Sequence, residues 1–266
     1  AKTSFEEAIN LAIEDAQSLN EILKSTALWT LGKLITVSMV TADVSSKVAE
    51  IIITNMSDAV ARVRQTAIIA AAHAAPVTEA FDESLARLAE SGDQYVLAAI
   101  ASTLMLNFEV MKGKTHFNEF LRFLCKLTPQ TKGGIDNFDC VLYQLISDES
   151  QQQLAVSCLT DWVHANAEDT PRDKSVSELF DSTASELANR PALLSQIITD
   201  WFLSGNNRLS FAAAGLLSYL WVHGQKNPEF SSSRLDTLAH NDLLFLAKRM
   251  LGYVSSGDHL ISLAMS

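Results

Sequence analysis

The sequence predicts an all-α fold, and three observations predict it. Apolar residues recur at intervals of three and four almost throughout, as in Phe5, Ala8, Ile9, Ala12, Ile13 and again in Leu194, Ile197, Ile198, Trp201, Phe202, the spacing that lines one face of an α-helix. No segment alternates apolar and polar residues long enough to make a strand, and the β-branched run Ile51 to Ile53 lies inside a longer helical pattern. The prolines Pro76, Pro129, Pro171, Pro191 and Pro228 fall where one helical pattern ends and the next begins. About fourteen helices of roughly 10 to 18 residues follow from this punctuation.

Start signals agree with it. Ser4 with Glu7, and Ser175 with Glu178, have capping-box spacing, while Asp58, Asp93 and Asn206 precede apolar runs as N-cap residues. Aligning the more apolar helix of each pair places a small residue at one register, namely Ala27, Ala67, Ala99, Cys158, Ala213 and Ala247. Four residues earlier stand Leu23, Val63, Tyr95, Leu154, Leu209 and Leu243, all large. The unit that repeats is therefore a helix pair, with one extra helical pattern inserted at about Thr115 to Leu127 and another at about Ser175 to Ala188. A small residue at a helix crossing lets the two axes approach, and Gly32 and Gly252, five residues beyond Ala27 and Ala247, fit the same need. The expected architecture is a right-handed superhelix of about six such pairs, one domain over 1–266 with possible halves 1–130 and 131–266. Its apolar second helices form an inner layer. Its first helices, such as Val77 to Ser91, present a charged outer face.

Composition bounds the function. With 266 residues, 48% of them hydrophobic, and only 10 Gly and 5 Pro, the chain is a core-forming globular protein and neither disordered nor fibrous. Twenty Lys and Arg against 31 Asp and Glu give a formal charge of -11, which disfavours a polyanion or an anionic membrane and favours a basic or mixed-charge protein partner. The stretch Ile68 to Val77 is interrupted by His73 and Pro76, well short of the roughly 20 apolar residues that span a bilayer. Glu6 and Glu7 stand where a secretory signal needs an unbroken apolar run, and the missing initiating Met points to processing or to excision from a longer chain. Cys125, Cys140 and Cys158 are odd in number and sit among apolar neighbours, as reduced core residues of a cytoplasmic protein do.

The stretch Asp58, Ala59, Val60, Ala61, Arg62, Val63, Arg64, Gln65, Thr66, Ala67 resembles the turn and second helix of a HEAT repeat, whose pattern has an inter-helix Asp, a Val-Arg pair and then Ala. The resemblance implies an armadillo-like α-solenoid. It also implies a polar ladder between adjacent repeats carried by Asp58 and Arg64. Asp93 and Asp148 hold the turn position elsewhere, with no Arg at the corresponding place.

Motifs for chemistry are missing. None of His73, His116, His164, His223, His240 and His259 has a second His three or four residues away, and the His-Glu dipeptide of the iron-binding HEAT-repeat hydroxylases does not occur. His73, His164 and His223 read as helix C-terminal residues, a ligand or general base being the alternative. Thr131, Lys132, Gly133, Gly134 is the one Gly-rich turn beside a Lys, a flexible loop or an anion-binding turn ahead of Asp136. No cofactor, metal site or catalytic residue is assigned. One region runs against the overall charge: Lys112, Lys114, Arg122, Lys126 and Lys132 with the single acid Glu119, coincident with the first insertion. Insertions project from a regular stack and often bind, so these five are the candidate partner-binding residues.

The sequence thus favours a non-enzymatic protein-interaction scaffold or sensor. Two alternatives stand beside it: a HEAT-like nucleic-acid enzyme of the DNA glycosylase type, disfavoured by the charge, and a cofactor-binding enzyme whose site is assembled from distant helices. The apolar C-terminal segment Leu260, Ile261, Leu263, Ala264, Met265 is expected to dock on the preceding pair, continue into further sequence, or pair with a second copy.

Overall fold

A computed structural model describes residues 2–37, 40–131, 133–166, 176–222 and 235–256, and among these it contains fifteen α-helices, one short 3-10 turn and no strand. The chain divides into two compact units, Ala1–Leu127 and Thr128–Ser266. The first holds α1 (Lys2–Asp15), α2 (Glu21–Leu34), α3 (Ala42–Asn55), α4 (Ala61–Ala74), a 3-10 turn (Glu79–Phe81), α5 (Asp82–Glu90), α6 (Gln94–Leu106), α7 (Phe108–Lys112) and α8 (Phe117–Leu124). The second holds α9 (Gly134–Ser147), α10 (Gln152–Ala165), α11 (Val176–Leu179), α12 (Asp181–Ala188), α13 (Pro191–Leu203), α14 (Asn207–Val222) and α15 (His240–Ser256). Ser175, Pro171, Pro228, His223, His259, Lys132 and the segment Leu260 to Met265 lie outside the described residues.

Several helix starts follow side-chain chemistry. Asp93 caps α6 by accepting from the backbone N–H groups of Tyr95 and Val96, and Asn206 caps α14 through Arg208 and Leu209. Asn20 does the same for α2 through Ile22 and Leu23, a cap the sequence pattern does not flag. Asp58 sits two residues outside the cap position of α4, where its carboxylate accepts from the Val60 N–H at 2.8 Å. Ser4 lies within α1, which already begins at Lys2, so its capping-box spacing with Glu7 does not mark the start.

In the first unit α2, α4 and α6 lie side by side as one layer, with α1 packed on α2, α3 on α4 and α5 on α6; α8 follows against α5 and α6. The approach of α2 to α4 is as close as the small residues permit. A Cβ added at Gly32 would lie 2.7 Å from the Ala70 Cβ and 2.9 Å from its Cα, distances that no relaxed side chain tolerates. Ala27 and Ala67, at the expected crossing register, are both buried. The register then shifts by one at α6. Val96, Ile100, Ala101 and Leu104 are buried where Val63, Ala67, Ile68 and Ala71 are buried on α4, and the predicted central Ala99 is half-buried. The Thr103 hydroxyl locks this register by donating to the Ala72 carbonyl at 2.8 Å.

In the second unit α9 pairs with α10 and α13 with α14; α14 also meets α10 and α11, and α15 meets α13. Cys158 and Ala213 are buried at the expected register, whereas Ala247 and Leu243 are exposed on α15, so the small-residue rule does not extend to the last helix. The second insertion forms α11 and α12. Phe180 between them packs edge-on against Trp162 of α10 and Phe138 of α9, at centroid distances of 4.7 and 6.0 Å, and all three rings are buried. A carboxylate completes the anchor: Asp139 of α9, buried, accepts from the Ser182 and Thr183 N–H groups at 2.9 and 2.8 Å and so caps α12 from a different helix.

Candidate partner-binding site

Four of the five basic residues singled out by the sequence gather around α7 and α8, the fifth, Lys132, lying outside the described residues, but the fold uses several of the four internally. Lys112 ends α7, Lys114 lies in the turn that follows, Arg122 is on α8 and Lys126 just beyond it. The Lys126 ammonium donates to the Glu90 carbonyl at 2.8 Å, placing a positive charge on the C-terminal end of α5 where the helix dipole favours it. Gln94 of α6 donates in turn to the Lys126 carbonyl at 3.0 Å. Arg122 is 3.7 Å from Glu119, and both Arg122 and Lys126 lie 5.3 Å from the centre of the Phe123 ring. The insertion is thereby tied to α5 by the Lys126 ammonium and to α6 by the Lys126 carbonyl.

Beneath it sits Asp82, the first residue of α5 and 1% exposed, whose two carboxylate oxygens are buried without a hydrogen-bond partner. Burial pushes its carboxyl above the ordinary range, while Lys114 and His116 in the α7–α8 turn pull it back. His116 is itself held by Glu119, Nδ1 to Oε2 at 2.8 Å. A carboxyl raised in this way favours the fold while protonated, and that contribution is lost as pH rises through its folded value. Asp82→Asn is therefore expected to raise stability above the carboxylate range by about 1–2 kcal/mol, with the gain shrinking on acidification. Thermal melts across pH measure it; a loss of stability at neutral pH would show the ion to be compensated.

The ladder residues divide differently from the expectation. Asp58 is bridged by Lys24 of the preceding pair, Nζ to Oδ2 at 2.7 Å, and this bond, then the Val60 N–H, holds its carboxyl below the usual range. Arg64 turns back on its own turn, donating to the Asp58 carbonyl at 2.7 Å and approaching that of Ala59 at 3.5 Å. Lys24 was legible only as the residue at Arg64's register one pair earlier. His73 ends α4 as expected, and Lys33 of α2 donates to its Nδ1 at 3.5 Å while lying 4.5 Å from the Trp29 ring centre. Burial, and then Lys33, push His73 down, which keeps the imidazole neutral and Nδ1 open to that donor. His164 faces the Asn206 amide at 3.1 Å.

Among the described residues no three His, Cys, Asp or Glu side chains are placed to hold a metal ion, and no helix is long and apolar enough to cross a membrane. Cys125 and Cys158 are buried, none of the three cysteines forms a disulfide, and the Cys140 thiol is pushed up by burial and by Asp139 and Asp136, which makes it a poor nucleophile. At the Gly-rich turn Gly133 adopts φ +71° and Asp136 occupies the first turn of α9, where its charge opposes an incoming anion.

No family model and no curated protein matches the chain. Two solved structures, each described as an engineered protein, align over most of it: one at 18% identity and a TM-score of 0.33, over 93% of this chain and 96% of the other. The second aligns at 15% identity and the same TM-score of 0.33, over 94% of this chain and 64% of the other. Neither likeness carries the reading below, which rests on the chain's own contacts.

Proposed function

We propose that the protein is a HEAT-like stack of helical hairpins that acts as a protein-interaction module, without covalent chemistry of its own. The observation that supports it most is the range of the bonds between helix pairs. Lys24 to Asp58, Lys33 to His73, Thr103 to Ala72, Trp201 to Thr160, Arg190 to Ser147 and Arg249 to Ser210 join residues 31 to 43 apart, about one helix pair each time, as in a quasi-one-dimensional array. Such a stack leaves helix faces open to solvent, as at Ile22, Trp29 and Ile69. Its function is then recognition by surface chemistry, and the acidic outer helices suit a basic or mixed-charge partner.

The test pairs capture with ligand screening. Lys112→Glu with Arg122→Glu reverses the insertion's charge while leaving Lys114 beside Asp82 and Lys126 on Glu90. Helical circular dichroism is expected to survive and partner capture to weaken. Capture unchanged by the double variant removes the insertion as the contact, whereas a large thermal upshift from a metal ion or metabolite, without capture, overturns the interaction reading.

A further inference from the structure

The first unit segregates its charge. Nine of its fifteen acids, from Glu6 and Glu7 through Asp43 and Glu50 to Glu83 and Glu90, lie on α1, α3 and α5. The neighbouring layer of α2, α4 and α6 carries Lys24, Lys33, Arg62 and Arg64 against one carboxylate, Glu21. Within a chain of net charge -11, this layer is cationic.

The exposed surface of the layer is organised by the repeat. On α2, Ile22, Thr26, Trp29 and Lys33 follow at three- and four-residue steps on one stripe, and Arg62, Thr66, Ile69 and His73 take the same register on α4. The stripes adjoin, since Lys33 reaches His73 and the Trp29 and His73 rings lie 5.9 Å apart. The large apolar members stay open to solvent: Ile22 is 55% exposed, Trp29 41% and Ile69 37%. The acids at the N-terminal ends of the layer are Glu21, the first residue of α2, Asp58, which is bridged by Lys24, and Asp93, which is engaged in its cap. The acids of the other layer belong to helices packed behind it, and at about 0.1 M salt their field fades over roughly 10 Å.

We propose that the α2–α4–α6 face of the first unit is a docking surface for an acidic peptide segment that carries an aliphatic or aromatic side chain. The inference rests on the interaction-module reading and concerns this cationic layer alone, the acidic outer helices being the ones that suit a basic or mixed-charge segment. Carboxylates of the segment meet Lys33 and Arg62, and its apolar side chain covers Trp29 and Ile69. Charge complementarity selects this occupant, because a basic segment would bring like charge onto the same two cations.

An array of synthetic peptides with matched Leu and Phe content, graded from Asp/Glu-rich to Lys/Arg-rich, probes the full chain directly. Binding is expected to follow acidity, to fall as salt rises, and to weaken by about tenfold or more in Lys33→Glu with Arg62→Glu. Trp29→Ala weakens it as well, while Lys47→Glu, at an exposed position on α3 in the other layer, leaves it unchanged. Circular dichroism and melting of each variant confirm the fold, and the salt dependence of the unaltered chain tests the charge argument without any substitution. Binding that ignores peptide acidity, or that survives reversal of Lys33 and Arg62, overturns this inference. Capture of basic peptides alone sinks it while sparing the interaction module; silence across the whole array sinks both.

Discussion

Gly32→Ala is expected to destabilise the first unit by about 1–2 kcal/mol, despite alanine's better helix propensity. Alanine should gain up to about 1 kcal/mol in a helix interior. Against that, its Cβ would stand 2.7 Å from the Ala70 Cβ, 2.9 Å from the Ala70 Cα and 3.1 Å from the Ala70 carbonyl oxygen. Two of those three atoms are backbone, so no rotamer change relieves the clash and the helices must separate, at the roughly 1–3 kcal/mol typical of overpacking or more. Separation also loosens Leu28, Leu31, Ala67 and Ala71, all buried beside the crossing. Ala70→Gly in the Gly32→Ala background removes the nearest atom and is expected to restore part of the loss. A double-mutant cycle in urea measures the coupling. An alanine variant as stable as the parent would mean that the two helices can part at no cost.

Asp139→Ala is the second large effect, about 2–3 kcal/mol in the other unit. Asp139 accepts from two backbone N–H groups at the start of α12, and the Thr183 hydroxyl donates back to the Asp139 carbonyl at 3.2 Å. Removing the carboxylate leaves both amides without that acceptor, one of them on a buried residue. Asn retains one acceptor oxygen and is expected to cost less. Trp162 and Trp201 are both buried in this unit, so their fluorescence in urea follows its unfolding. Equal stability of the alanine variant would mean that α12 is held by Phe180 and its ring partners alone.

The sequence was most informative where one helix face decides the outcome. The three-and-four spacing placed the helices, and Gly32 was legible as a crossing because a mid-helix glycine needs a packing reason. Ala99 was misplaced by one position because the alignment counts residues, whereas burial follows the axial offset between α4 and α6, which the Thr103 bond to Ala72 fixes. Asp139 and Lys24 were invisible as partners since each acts on an element more than thirty residues away; no local pattern records such a bond. The insertion was recognisable by its charge. Its internal use was not, because the carbonyl of Glu90 and the burial of Asp82 exist only once α5 and α8 are packed. The acid-free face of α2 and α4 was readable in principle, by sorting charges by helix instead of summing them along the chain.

Hydrogen exchange of the Gly32→Ala variant, followed peptide by peptide, tests the stacked-hairpin account most directly. If contacts run only between neighbouring pairs, protection falls most in α2 and α4, less in α6, and stays at the parent level in α8, which packs on α5 and α6. Loss of protection in α8 equal to that in α2 would contradict it, showing a single cooperative core in place of a stack.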